Sequence, residues 1–158
     1  MLGDWIVRGK PDFVQVHYSI FNRLAEERIL PAAADIGAAV LVNMPFEKAR
    51  LFKPVEGQKL PDFAKEFGAE NWAQFFLKWI ISHPAVTAAI PATSNPDHAS
   101  ENIGALRGPL PGQKMRERMV KHMETIPGFA DLDKAPRYPG KNYSGVIAKA
   151  RANVKSRS

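Results

Sequence analysis

Apolar and polar positions alternate in segments of two periods along this chain. Residues 12–19, "DFVQVHYS", are rich in β-branched and aromatic side chains and predict a strand. Strict alternation sends Gln15 and Tyr18 to opposite faces, so Tyr18 is expected to pack. Residues 24–36 predict a helix, with Glu26 and Glu27 early and Gly37 as its stop. Residues 38–44, "AAVLVNM", are continuously apolar, as for a strand covered on both faces, and Pro45 ends it. Residues 46–57 show no clean period and are expected to form a long loop, with a short helix over 60–67. Apolar residues at 72, 75, 76, 79 and 80 carry helical spacing over 72–82. A strand over 86–90, a helix over 96–106 and an amphipathic helix over 113–123 complete the pattern. The alternating order of strands and helices predicts an α/β fold with parallel strands and crossover helices.

Three strands make a small sheet for that class, which suggests part of something larger. The 158 residues suffice for one domain with a real core. With no cysteine there are no disulfides, no thiolate chemistry and no Cys-based zinc site. His17, His83 and His122 lack metal-ligand spacing and are expected to be structural or solvated, so no metal is expected. The stretch "FFLKWIISH" is too short to cross a bilayer and "MLGDWIVRGK" lacks the apolar core of a signal peptide, so a cytoplasmic protein is expected. The net charge of +6 is uneven, with +5 of it from residue 126 onward. Residues 1–125 thus read as a nearly neutral body and 126–158 as a basic tail that includes Tyr138, Lys141 and Tyr143. A body of this charge is no face for nucleic acid.

The stretch "IPATSNPDHASENIGAL" (90–106) carries the candidate chemistry. Asn95 suits an N-cap, Pro96 the first helical position and Asp97 the first turn. Alone, these residues describe a capped helix after a strand. Free N–H groups and the helix dipole could equally hold an anion. Both readings stay open on this stretch by itself.

Taken with "DFVQVHYS", "ILPAAADIGAAVLVNMPF" and "WAQFFLKWIISHPAVTAAIPATS", the stretch resembles the C-terminal part of aldo-keto reductases, over roughly residues 12–123. The resemblance implies a partial (β/α)8 TIM barrel: about the last three βα units, a C-terminal helix and an extended tail. It implies an NAD(P)H-dependent oxidoreductase that reduces small aldehydes and ketones, with NADP, or alternatively NAD, as cofactor. By the same resemblance Thr93, Ser94 and Asn95 face the adenosine 2′-phosphate, and His98 lies beside adenine or phosphate. Glu101 and Asn102 contact the adenine amino edge, and Gln15 holds the nicotinamide carboxamide. Asn43, Met44 and Phe46 belong to the segment under the nicotinamide and along the pyrophosphate, where Lys48 and Arg50 could add positive charge.

The departures matter as well. Many members have an aromatic residue where Asn43 stands, Lys at the position of Ala92 and Arg at that of His98, and a 2′-phosphate is best held by such cations. The family's catalytic Tyr, Lys, Asp and His lie upstream of the matching part, so no catalytic residue is expected in this chain. The expectation is therefore the cofactor side of the enzyme, inactive alone, as a fragment or truncated frame. The alternative is a non-catalytic nucleotide-binding or assembly module that pairs with a separate N-terminal half.

Overall fold

The computed structural model describes residues 2–134. Helix α1 (Leu2–Gly9) leads into strand β1 (Phe13–His17), helix α2 (Ala25–Asp35) and strand β2 (Ala39–Asn43). Helix α3 (Trp72–Ile81), strand β3 (Ala88–Ala89), helix α4 (Pro96–Gly104) and helix α5 (Gln113–Thr125) follow. The strands form one parallel sheet in the order β1-β2-β3, as the alternation predicts. Phe13 stands opposite Ala39, Gln15 opposite Leu41 and His17 opposite Asn43, while Leu41 faces Ala88.

This register sorts the side chains onto two faces. Val14, Val16, Val40 and Val42 are buried in one core with Leu30 and Ala33 of α2 and Phe76 and Ile80 of α3. Burying such a side chain contributes about 1.5–3 kcal/mol. On the other face Gln15 is exposed, Phe13 is 61% exposed, and Leu41 and Asn43 are half-buried. Tyr18 continues the buried parity, its ring 5.1 Å from that of Trp79. Gly37, with φ of 71°, ends α2 in the left-handed turn that glycine adopts freely, as its N–H and that of Ala38 return to Ala34 and Ala33 carbonyls.

The structure adds three features to that picture. The N-terminal helix α1 has no clear sequence signature; Ile6 is buried and α1 packs on α2. The long loop after β2 contains a turn of 3-10 helix at Arg50–Phe52, and the helix expected over 60–67 is a 3-10 helix at Asp62–Phe67. Ile126, Phe129 and Leu132, at the start of the stretch expected as a basic tail, are buried in the same core. The remainder of the expected tail, with Tyr138, Lys141 and Tyr143, lies outside the described residues.

Candidate functional site

The C-terminal ends of β2 and β3 open on a cleft of about 740 Å³. One side comes from the chain leaving β2. Met44, Glu47, Lys48 and Ala49 have φ of 52°, 51°, 57° and 67°. A left-handed conformation costs a residue with a Cβ roughly 1–2 kcal/mol, so this loop must be held by contacts elsewhere.

Glu47 supplies them. Its side chain, 1% exposed, points into the protein. Oε1 accepts from Ser19 Oγ at 2.6 Å and from His17 Nε2 at 2.5 Å, and Oε2 accepts from Arg50 Nη2 at 3.0 Å. Asn22 Nδ2 donates to His17 Nδ1 at 2.9 Å, which assigns the imidazole proton to the nitrogen facing Glu47. Burial alone would raise the Glu47 pKa. Hydrogen bonds from His17 and Ser19 and the charge of Arg50 outweigh it and hold the carboxyl below its ordinary range. Arg50, expected to reach a cofactor phosphate, is instead turned inward: its guanidinium also donates to the Glu47 carbonyl at 3.0 Å and to the Leu132 carbonyl at 2.6 Å.

The other side is built from the end of β3 and from α4. Asn95 Oδ1 accepts from Asp97 N at 2.9 Å and so caps the helix. One turn on, His98, Glu101 and Asn102 fall on a single helix face, and all three line the cleft. Contacts with α3 set where α4 sits. A Cβ on Gly104 would come within 2.4 Å of Gln74 Nε2, so glycine permits the close approach of the two helices. Beyond α4, the fully buried Lys78 donates to the carbonyls of Arg107 at 2.5 Å and Pro109 at 3.2 Å, and burial lowers its pKa. Asn71, Trp72 and Ala73 at the start of α3, with Phe52, complete the lining.

Of the ten residues singled out in the sequence, Met44, Phe46, Thr93, His98, Glu101 and Asn102 line this cleft. Ser94 and Asn95 do not line it and are exposed. The Asn95 side chain is engaged in its own loop, as is that of Thr93, whose Oγ1 accepts from Asn95 N at 3.1 Å. Gln15 and Asn43 stand on the open face of the sheet, in neighbouring strands. Asn43 Oδ1 is buried and has no hydrogen-bond partner among the described residues. Lys48, also expected near the site, lines the cleft.

Sequence reasoning missed Arg116, an inconspicuous cation on α5. It is buried, stacks with Cζ 4.2 Å from the Trp79 ring centroid and donates to the Trp79 carbonyl. Its guanidinium also donates to Tyr18 Oη at 2.7 Å, Ser82 Oγ at 3.1 Å and Glu26 Oε1 at 3.2 Å. Tyr18 in turn donates to Glu26. Burial pushes the phenol well above its ordinary range, and the nearby Arg116 charge offsets only part of that rise. Tyr18 is therefore a fixed part of the core with no access to the cleft.

Comparison with known proteins adds to this geometry. The model of the aldo/keto reductase family matches residues 8–121. The uncharacterized oxidoreductase YrpG of Bacillus subtilis is 27% identical over 65% of this chain and 37% of its own length. An NADH-specific methylglyoxal reductase of Escherichia coli is 23% identical over 65% of this chain and 39% of its own length. The chain thus spans less than two-fifths of the curated relatives it matches. Among solved structures, the holo form of an aldo-keto reductase from Bacillus halodurans superposes with a TM-score of 0.56 at 17% identity, over 75% of this chain and 44% of that one. That likeness shows a shared α/β fold with a parallel sheet.

Proposed function

The chain belongs to the aldo/keto reductase family, and from that premise we propose that its cleft holds a nicotinamide dinucleotide as the cofactor side of an oxidoreductase that reduces small aldehydes and ketones. The observation that carries this reading is the convergence of residues from separate segments, Met44 and Phe46 after β2 with Thr93, His98, Glu101 and Asn102 after β3, on one cleft. Its position at the C-terminal ends of parallel strands agrees with where ligands bind in such α/β folds.

The residues present fit such a group. The unpartnered Oδ1 of Asn43 is an acceptor suited to a carboxamide N–H, with the exposed Gln15 on the same sheet face. Trp72, Phe46 and Phe52 offer apolar surface to ring systems, and Glu101 and Asn102 offer acceptors to an amino group or a ribose hydroxyl. When bound, the dinucleotide supplies or takes up a hydride; this chain's residues bind and orient it. Protonation of the developing alkoxide needs a further acid. Tyr18 is the one tyrosine among the described residues, and its hydroxyl is committed to Glu26 and Arg116. We accordingly read the 158 residues as part of a (β/α)8 barrel, without reductase activity by themselves.

The open sheet face favours a second reading of the same unit. Phe13 and Ile90 are 61% and 47% exposed, and β1 and β3 pair with no further strand among the described residues. A separately supplied N-terminal half would cover such a face, and the chain would then be the nucleotide-binding module of a two-part assembly. Calorimetric titration of the 158-residue chain with reduced dinucleotide, followed by an assay with a reactive aldehyde, tests both readings. Saturable binding without turnover is expected, and turnover should appear when a family N-terminal half is added. Turnover by the chain alone would overturn the division of labour, and absence of binding would overturn the cofactor reading.

A further inference from the structure

We propose that Arg50 is a positioning residue that joins the segment after α5, residues 126–132, to the wall of the cleft, so that this segment sets how tightly the cleft holds its ligand without lining it. The identity of that ligand rests on the cofactor reading above.

The loop after β2 has two sides. Met44, Phe46, Lys48 and Ala49 line the cleft, while the side chains of Glu47 and Arg50 are buried behind them. Met44, Glu47, Lys48 and Ala49 all have positive φ, a conformation that a residue with a Cβ rarely keeps unaided. Such a wall gives way once its restraints go. While they hold, the ligand is spared the cost of ordering it.

Two anchors supply the restraint. Glu47 Oε1 reaches Ser19 and His17 at the end of β1. Arg50 is the second anchor. Its Nε donates to the Glu47 carbonyl at 3.0 Å, Nη2 to Glu47 Oε2 at 3.0 Å and Nη1 to the Leu132 carbonyl at 2.6 Å. One planar guanidinium thus bonds the loop and a residue 82 positions away, a fork that a lysine ammonium does not reproduce.

The far end of the link is firm. Ile126, Phe129 and Leu132 are buried in the core, and the Phe129 ring meets Phe21 edge-on at 5.5 Å. Phe129 N and Leu132 N donate to the carbonyls of Ile126 and Phe129, so the segment is folded upon itself. None of residues 126–134 lines the cleft. The Arg50–Leu132 bond is what carries the segment's packing to the loop, and the loop is the element whose shape both ends bias.

Calorimetric titration of the full chain with NADH and NADPH reads the link. Arg50→Lys should weaken binding about tenfold, since the charge beside Glu47 stays while the fork is lost. Phe129→Leu, remote from the cleft, should weaken it about threefold by loosening the segment. The double variant should bind no more weakly than Arg50→Lys alone, because the link is already cut. Leu30→Val also trims the buried core, on α2, and should bind as the unaltered chain does. In the unliganded chain, amide exchange at Glu47 and Leu51, which donate to the Met44 and Phe46 carbonyls, should quicken in Phe129→Leu and not in Leu30→Val. Losses that add in the double variant, or unaltered affinity in both single variants, overturn the inference and leave the cofactor reading standing. Should Arg50→Lys fail to fold by circular dichroism, equal affinity and exchange in Phe129→Leu and Leu30→Val would overturn it as well. Binding of neither dinucleotide by the unaltered chain overturns both.

Discussion

Both α3 and α4 begin at an asparagine whose side chain accepts from the backbone: Asn71 from Gln74 N at 2.9 Å, Asn95 from Asp97 N at 2.9 Å. From there the helices diverge. Every residue of α3 from Ala73 to Ile80 is buried, and no residue of α4 is. Helix α3 belongs to the core with the strands; α4 leans on α3 at Gly104 and presents three polar side chains to the cleft. Capping chemistry therefore fixes where a helix starts and leaves its role open. Burial divides scaffold from site, and the proposed ligand contacts fall on the helix the core can do without.

Truncations on the two helices give the sharpest contrast. Trp79 is 1% exposed and lies against both the Tyr18 ring and the Arg116 guanidinium. Trp79→Ala should cost about 3–5 kcal/mol, a large fraction of the stability of a chain this size. Ile103 on α4 is 59% exposed, and Ile103→Ala should stay within about 0.5 kcal/mol of the parent. Urea unfolding followed by circular dichroism measures both. A comparable loss at Ile103 would show that α4 is part of the core after all.

The loop after β2 combines both roles, since its buried carboxylate holds a backbone that lines the cleft. Glu47→Gln keeps the shape but removes a charge that accepts from His17, Ser19 and Arg50. A loss of about 1.5–3 kcal/mol at neutral pH is expected for bonds to a charged group. The pH dependence follows from the sign of the shift. The carboxyl is held below its ordinary value of 4.5, so its stabilisation is fully present above that value and is lost as pH falls through the lower folded value. Urea midpoints measured between roughly pH 3 and 6 should fall more steeply on the acid side for the parent than for Glu47→Gln. Equal slopes would mean that the cage does not depend on the Glu47 charge.

What the sequence made legible tracks how local the cause is. The valines of β1 and β2, the 72/75/76/79/80 stripe of α3 and the cap at Asn95 are all set by neighbours within a few positions. Strand β3, expected over 86–90, has a ladder of only Ala88–Ala89, although Thr87 N and Ile90 N still donate to Val40 and Val42 carbonyls. The two polar clusters were not legible. Glu47 meets His17 and Ser19 from 30 and 28 positions away, and Arg116 meets Tyr18 across 98. Nothing in "MPFEKARLF" says that Glu47 and Arg50 turn inward while Lys48 stays on the cleft. Family resemblance singled out Met44, Phe46, Thr93, His98, Glu101 and Asn102, which line one cleft, but only the folded loop reveals that Thr93 and Asn95 bond to their own backbone.

The finest division between the helices comes from removing the same cap from each. Asn71→Ala and Asn95→Ala each delete one side-chain acceptor for an N-terminal N–H, a loss of about 1 kcal/mol in either helix. Because α3 folds with the core, the loss at Asn71 should appear in full as a lower global urea midpoint. Because no residue of α4 is buried, the loss at Asn95 should stay local. Amide exchange at Asp97, whose N–H the cap engages, should then quicken about fivefold for that energy, while the global midpoint holds. Equal midpoint shifts in the two variants would join α4 to the cooperative unit of α3. A shift confined to α4 means that a site helix can loosen or adjust on its ligand while the sheet and α3 beneath it stay folded.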